Sequence, residues 1–500
     1  MLARRLIMRK PCPFHWIKPA RKSVLLLPIS LVLLGGCVTV PRDGDFATVE
    51  RLVGERIPQK VHWSQDNQAD AQVQVLLDDL LSQPLTARAA VQIALLNNRH
   101  LQSEYESLGI AQADLIQAGL LSNPVLFASI RFPSNGASGN NTEFDLTQGF
   151  LDILLRSARQ RVANVEFERV KLRVANSVLE LASAVQTQFV QLQGEQQRCQ
   201  VLAVATDAAQ TSYDLAQQFD KAGNLSELEL AQQRSAAAEM TAALMRSRAA
   251  VQSARDKLNV LLGLVDDAQH WTLTEELMPL PSEDPNVTQM QEMAIERRLD
   301  LDEKRQELIQ LTEALNITRQ YRWLGGASVG VSTERDADGS RVSGPNFSVE
   351  LPIFDQRQAA IARLESTLAQ SRSRLVALSI DIRRDVISAG HQVRAAREIV
   401  EYYRDDLIPA QEQVVKYTQQ EQNYMLVDVF ELLFARRQAT QSYLGYIDGL
   451  TEYWEAITAL ARASGAGLPE ITNTKVTPSM SDEHAEHSEN VTEPHHKTRH

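Results

Sequence analysis

Half of the chain's 10 histidines, His484, His487, His495, His496 and His500, stand in the carboxy-terminal tail among Glu483, Glu486 and Glu489. Imidazoles beside carboxylates hold zinc, copper or nickel, so the tail is a candidate metal-ligand set. A solvated polar tail is the plainer reading of the same residues. A second cluster is acidic: Asp428 and Glu431 are three apart and share one face of a helix. Negative charge near a helix start also suits the helix dipole, which is the structural reading of that pair. No nucleophile, base and orienting group form a recognisable set. The chain is therefore not expected to be an enzyme, and no cofactor is implied. His62, His100, His270 and His391 are scattered and read as surface or packing residues.

The bulk numbers narrow the partners. A net charge of −12 over 500 residues argues against nucleic acid, which favours a basic face. At the amino end Arg4, Arg5, Arg9, Lys10, Lys18, Arg21 and Lys22 precede an apolar run, Val24 to Leu34. That run is too short to span a bilayer, which takes about 20 residues. It ends in Leu34-Gly35-Gly36-Cys37, which resembles the lipobox of bacterial lipoproteins. The resemblance makes Cys37 the lipid attachment point, and Val38 after it implies an outer-membrane address. Cys12 falls in the discarded segment, and Cys199 is left without a disulfide partner, as a small packing residue in a helix.

Two stretches show how the chain is built. In Asn346 to Arg363, Phe347, Val349, Leu351 and Ile353 alternate with polar residues, the pattern of a half-buried strand. After Pro352 and Asp355 the period becomes helical. The same joint occurs in Glu143 to Arg161, about 203 residues earlier, where Phe144, Leu146 and Phe150 alternate before a helical run. A tandem duplication of roughly 200 residues follows. The expected organisation is a lipoprotein signal peptide over 1–36 and a lipid-anchored arm over 37–84. A first repeat spans 85–278, a linker 279–286, a second repeat 287–464, and a disordered His-rich tail 465–500. Each repeat reads as a helix, a β-hairpin and a long helical hairpin. Leu85 to Gly119 is expected as one helix, and Val287 to Tyr321 as its counterpart. Leu154 to Asp220 predicts a helix on the order of 100 Å, and Pro409 should kink or split its counterpart.

The predicted fold is thus mainly α with a small β part: tandem long helical hairpins and four strands per chain. Strands of eight to ten residues with one apolar face suit a membrane wall. An open sheet cannot sit in lipid, and four strands cannot close a barrel. Three copies supply twelve strands and a closed transmembrane β-barrel. A soluble pair of hairpins packed on the helices is the alternative. Tyr321 and Trp323 suit an interface, whereas Trp454 suits packing.

The order of the lipobox, the duplicated joint and Leu426-Val427-Asp428-Val429-Phe430-Glu431 resembles the TolC-type outer membrane efflux family over about 85–464. That resemblance implies a homotrimer, a periplasmic α-barrel below the β-barrel, a periplasmic adaptor and an inner-membrane pump. It also assigns Asp428 and Glu431 to a periplasmic gate, a ring of carboxylates favouring cations. Tyr424 departs from the family pattern, which has a basic residue there. Metal ions, drugs and secreted polypeptides are all candidate cargo. A lipid-anchored periplasmic coiled-coil scaffold without a pore is the rival reading, and it has no use for two alternating hairpins.

Overall fold

The computed structural model describes residues 40–65, 68–132, 139–264, 271–273 and 276–469. Cys37, His270 and the five tail histidines lie outside the described residues. The unit described below begins at Asp43.

Two helices, α1 (Phe46–Gly54) and α2 (Gln68–Ser82), occupy the arm. The first buries Val49 and Val53 completely. Trp63 then donates its indole N–H to Glu106 at 3.0 Å. The arm is therefore a packed layer of the body.

The single helix expected over Leu85 to Gly119 is two, α3 (Ala87–Asn97) and α4 (Arg99–Gly119). Asn98 makes the break with an extended backbone (φ −65°, ψ 118°). Its side chain accepts the Leu101 N–H at 3.0 Å and donates to the Leu261 carbonyl at 2.8 Å. One asparagine thus caps the start of a helix and satisfies the end of another, where both have orphan backbone groups.

Strands β1 (Val125–Arg131) and β2 (Asn141–Gly149) follow, and β2 passes without a gap into α5 (Phe150–Lys221). That helix has 72 residues and is about 108 Å long at 1.5 Å per residue. Helix α6 (Glu227–Leu262) returns along it. The second repeat supplies α7 (Val287–Arg297), α8 (Leu299–Gln320), β3 (Ala327–Arg335), β4 (Arg341–Val349) and α9 (Gln358–Tyr402). A π-helical turn (Tyr403–Leu407), α10 (Ile408–Asn423) and α11 (Val429–Ser464) complete it.

The duplication is visible element by element. Helix α3 returns as α7 after 200 residues (287 − 87), and α6 returns as α11 after 202 (429 − 227). Both long return helices end on a left-handed glycine, Gly263 (φ 71°) and Gly465 (φ 64°), a conformation that glycine adopts without a Cβ clash. The repeats differ at the strand-to-helix joint. Strand β4 stops at Val349, short of the expected Ile353, and eight residues precede α9. Pro352 cannot continue the ladder, and the last pairing is the Glu350 N–H to Gly326 carbonyl bond at 2.7 Å. The break expected at Pro409 is displaced: the proline sits in the first turn of α10, and the π turn lies immediately before it.

The two hairpins join into one antiparallel sheet, β1-β2-β3-β4. Residues paired across it share a face, so Leu126, Leu146, Val331 and Pro345 form one row, and Ala128, Phe144, Thr333 and Ser343 the next. Val329 and Phe347 extend the same face. On this face Leu126, Phe144, Leu146, Val329, Val331 and Phe347 are all exposed. The opposite face carries Asp145, Ser332, Glu143, Glu334 and Asn346. There Arg131 bridges Glu143 at 2.9 Å and Glu334 at 3.1 Å, and Asn346 donates to Asp145 at 2.6 Å.

The core sits around the middle of α5. Val174, Val178, Val185 and Phe189 are fully buried there, together with Ile93, Leu95, Tyr105 and Leu108 from the first repeat. Ile382, Val386 and Tyr453 from the second repeat join the same cluster. Trp454 packs as expected, its indole donating to the Met278 carbonyl at 2.8 Å. Trp323 is exposed under the Arg322 guanidinium. Cys199 is half-buried against the small cluster of Leu202, Leu244 and Leu444. Among the described residues no helix is long and apolar enough to cross a membrane.

Candidate functional site

The acidic pair lies at the tip of the second helical hairpin. Met425 takes a left-handed conformation (φ 58°), and Tyr424, Met425 and Leu426 turn their backbone N–H groups back to carbonyls of α10. Their side chains stand in solvent, Met425 at 92% exposure. Asp428 follows in extended conformation (φ −81°, ψ 169°) as the cap of α11, its Oδ1 accepting the Glu431 N–H at 2.9 Å. The expectation that the two carboxylates share a helical face is therefore corrected. Asp428 stands outside the helix, because only an extended residue can turn its side chain onto the N–H three positions on.

The duplication explains the geometry. Ser226 occupies the corresponding cap of α6, with Glu229 three residues later. That pair forms a closed capping box: Ser226 accepts the Glu229 N–H at 3.2 Å, and Glu229 Oε2 accepts the Ser226 N–H at 2.9 Å. The Ser226 hydroxyl also donates to Glu229, and these bonds hold the glutamate below the usual carboxylate range. In the second copy aspartate replaces the serine. An ionised carboxylate has no proton to give and repels a second one, so only the forward half of the box is formed.

Asp428, Glu431 and Glu229 border one crevice of about 620 Å³ between α5, α6 and α11. Its floor is small, with Ala205, Ala208, Ala209 and Ser212 from α5. Arg436 and Arg437 line it farther along α11, and Arg437 covers the Phe434 ring. The two hairpin tips meet through Phe219 and Phe430, edge to face with centroids 6.3 Å apart. The structure thus brings Asp428 and Glu431 together on a crevice wall.

Three polar clusters had no clear sequence signal. Lys171, almost fully buried on α5, donates to Asp45 at 2.7 Å and to Glu168 at 2.8 Å. Burial pushes its ammonium down, but those two bonds outweigh it and raise the pKa; the Lys171 bond correspondingly lowers that of Asp45. In the linker, Asp284 accepts from Arg397 at 2.8 Å and from the Tyr453 hydroxyl at 2.8 Å. Desolvation, then the Asp284 hydrogen bond, pushes that tyrosine up. On α5, Arg198 reaches Asp448 of α11 at 2.6 Å.

No protein-family model matches the sequence. The cobalt-zinc-cadmium resistance protein CzcC of Cupriavidus metallidurans is 24% identical over 396 residues, 76% of this chain and 90% of that one. A membrane protein from Pseudomonas aeruginosa shares the fold at a TM-score of 0.65 and 19% identity, over 76% of this chain and 93% of that one. The outer membrane channel CmeC of Campylobacter jejuni does so at 0.62 and 16%, over 83% and 91%. The chain thus shares the fold of outer membrane channels and is similar in sequence to CzcC over 76% of its length.

Proposed function

We propose that three copies of the chain form the outer-membrane channel of a tripartite efflux system. The observation that carries this reading is the sheet. It presents one exposed face that is mostly apolar and one that is mostly polar, with Val125, Phe127 and Val342 the apolar residues on the latter, and β1 and β4 each leave an edge unpaired in the single chain. Such edges invite further strands, and in lipid they must be closed. Three copies give twelve strands, apolar outward and polar inward, with the long helices continuing the wall into the periplasm. A periplasmic adaptor and an inner-membrane pump complete the path, and Cys37 adds a lipid anchor. Asp428 and Glu431 form the constriction at the periplasmic end. The relationship to CzcC favours metal cations as cargo over organic compounds.

Outer-membrane fractions should contain a heat-sensitive, SDS-resistant trimer of the mature chain. A detergent-free soluble monomer would overturn the reading. A deletion strain should become sensitive to cobalt, zinc or cadmium; sensitivity to organic toxins alone would remove the metal assignment and leave the conduit.

A further inference from the structure

The two repeats differ at one helix junction. In the first, Asn98 acts twice: its amide donates to the Leu261 carbonyl at the end of α6, and its oxygen accepts the Leu101 N–H at the start of α4. Arg298 takes its place after 200 residues (298 − 98), and Ala463 stands for Leu261 after 202 (463 − 261). The arginine keeps the first role, donating to the Ala463 carbonyl at 3.4 Å. It cannot take the second, because a guanidinium has no acceptor, and α8 starts without a side-chain cap. Asp300 accepts the Leu301 N–H at 2.9 Å from inside the first turn. The Leu299 N–H, first of the helix, has no partner among the described residues, although Leu299 is 2% exposed.

This helix start opens on a cavity of about 50 Å³, room for one monatomic anion or a few waters. Leu299 lines it, and so does Ser183 of α5, 6% exposed, whose hydroxyl has no partner among the described residues. Arg297, Arg298 and Arg462 line it as well. Asp300 holds Arg298 at 2.9 and 2.5 Å, and Glu180, also on the wall, accepts from Arg462 at 3.3 Å. Asp302 is taken by Arg305 at 2.7 Å, whereas Arg297 has no ion pair among the described residues. Three guanidiniums thus meet two carboxylates at the cavity. Three of the last carbonyls of α11, those of Ala461, Arg462 and Ala463, are occupied by Ala466, Gly465 and Arg298. The unmatched groups are therefore donors and one positive charge, at the positive end of a 22-residue helix. Water brings donors as well as acceptors; an anion brings acceptors alone.

We propose that this cavity binds one small inorganic anion of the halide class, held by the Leu299 N–H, the Ser183 hydroxyl and the surrounding guanidiniums. It supplies in the second repeat the acceptor that Asn98 supplies in the first. Ile57 of the arm and Gly465 also border the cavity, so the anion ties α8 to α5, to the arm and to the end of α11. The inference needs only the folded chain and is independent of the conduit reading.

The test is the thermal transition of the full chain in detergent, in sodium chloride and in sodium gluconate of equal ionic strength, gluconate being too large for the cavity. The transition should be higher in chloride and rise with its concentration, as expected for a ligand that binds only the folded state. Ser183→Ala should at least halve the difference between the salts. Arg298→Asn, which restores the cap of the first repeat, should abolish it. Equal transitions of the unaltered chain in the two salts overturn the proposal, and a chloride effect unchanged in both variants overturns the placement. Crystals of the unaltered chain grown in sodium bromide keep the test open should a variant fail to fold. They should show an anomalous peak beside Ser183 and Leu299; ordered water without anomalous signal there overturns the anion. Failure of the trimer or of metal resistance in cells leaves these readings unaffected, so the two proposals fail separately.

Discussion

Tyr403 rests its ring directly on the backbone of Gly445, and a side chain of any size at that glycine would overlap the ring. Tyr403 opens the π turn that separates α9 from α10, and Gly445 lies on the facing stretch of α11. The first repeat has no such break, since α5 runs unbroken for 72 residues. Only the second hairpin therefore carries a wide turn in mid-length, seated on a glycine.

Gly445→Ala should force the Tyr403 ring off its seat. Overpacking of this kind costs about 1–3 kcal/mol. The expected outcome is a lower thermal transition, with partial recovery in Gly445→Ala/Tyr403→Leu, read by circular dichroism of the trimer. A transition unchanged in the single variant would show that the π turn yields freely.

At the tip, cap and charge are separable. Asparagine caps a helix as well as aspartate does, so Asp428→Asn/Glu431→Gln keeps the start of α11 and removes two carboxylates per chain. Cation preference in planar bilayers should fall. Asp428→Ala/Glu431→Ala should raise conductance and also cost about 1 kcal/mol from the lost cap. If conductance and selectivity are unchanged in both double variants, Asp428 is a helix cap and nothing more, and Glu431 has no part in the pore.

Much of this was legible in the residues, for identifiable reasons. The period-two stretches around Phe144 and Phe347 and the long proline-free run after Leu154 are strong local signals, and they gave the strands, the long helix and the duplication. Asn98 leaves no mark as a break in the sequence, because nothing on either side of it interrupts the helical pattern. Its role depends on the Leu261 carbonyl, 163 residues away. The Lys171–Asp45 contact is equally long-range, at 126 residues. At the acidic pair the sequence shows the spacing but not the conformation, since a cap and a first helical turn look alike in sequence. Comparing Asp428 with Ser226 across the duplication would have exposed it.

The Lys171–Asp45 pair fixes a pH window for docking of the arm. The depressed Asp45 stabilises the docked arm above its unfolded pKa, and that stability is lost as pH falls through the folded value. The raised Lys171 stabilises it below its unfolded pKa, and that stability is lost as pH rises through the folded value. Protection of the α1 amides from hydrogen exchange should therefore be flat from about pH 5 to 9 and decline below about 4. Lys171→Met should shrink the acid decline and lower protection throughout, since Asp45 then keeps only the Thr48 hydrogen bond and the more distant Arg51 charge. An acid decline of unchanged size in Lys171→Met would assign the effect to other carboxylates.

The register of the sheet makes the sharpest demand, because neighbouring residues of one strand face opposite solvents. Val331 pairs with Leu146 and Pro345 on the apolar face, while Ser332, next in sequence, pairs with Asp145 and Gly344 on the polar face. Arginine on the lipid side near mid-membrane costs about 2–4 kcal/mol in each strand that carries it, and a trimer carries three. Arginine on the polar side finds water and the Asp145 carboxylate. Val331→Arg should therefore abolish the SDS-resistant trimer in outer-membrane fractions, whereas Ser332→Arg should assemble and shift the channel toward anions. Were the sheet instead packed on helices in water, both would assemble alike, since Val331 is exposed in the single chain and an exposed arginine costs little. Equal assembly of the two variants would therefore remove the membrane from the account of these strands.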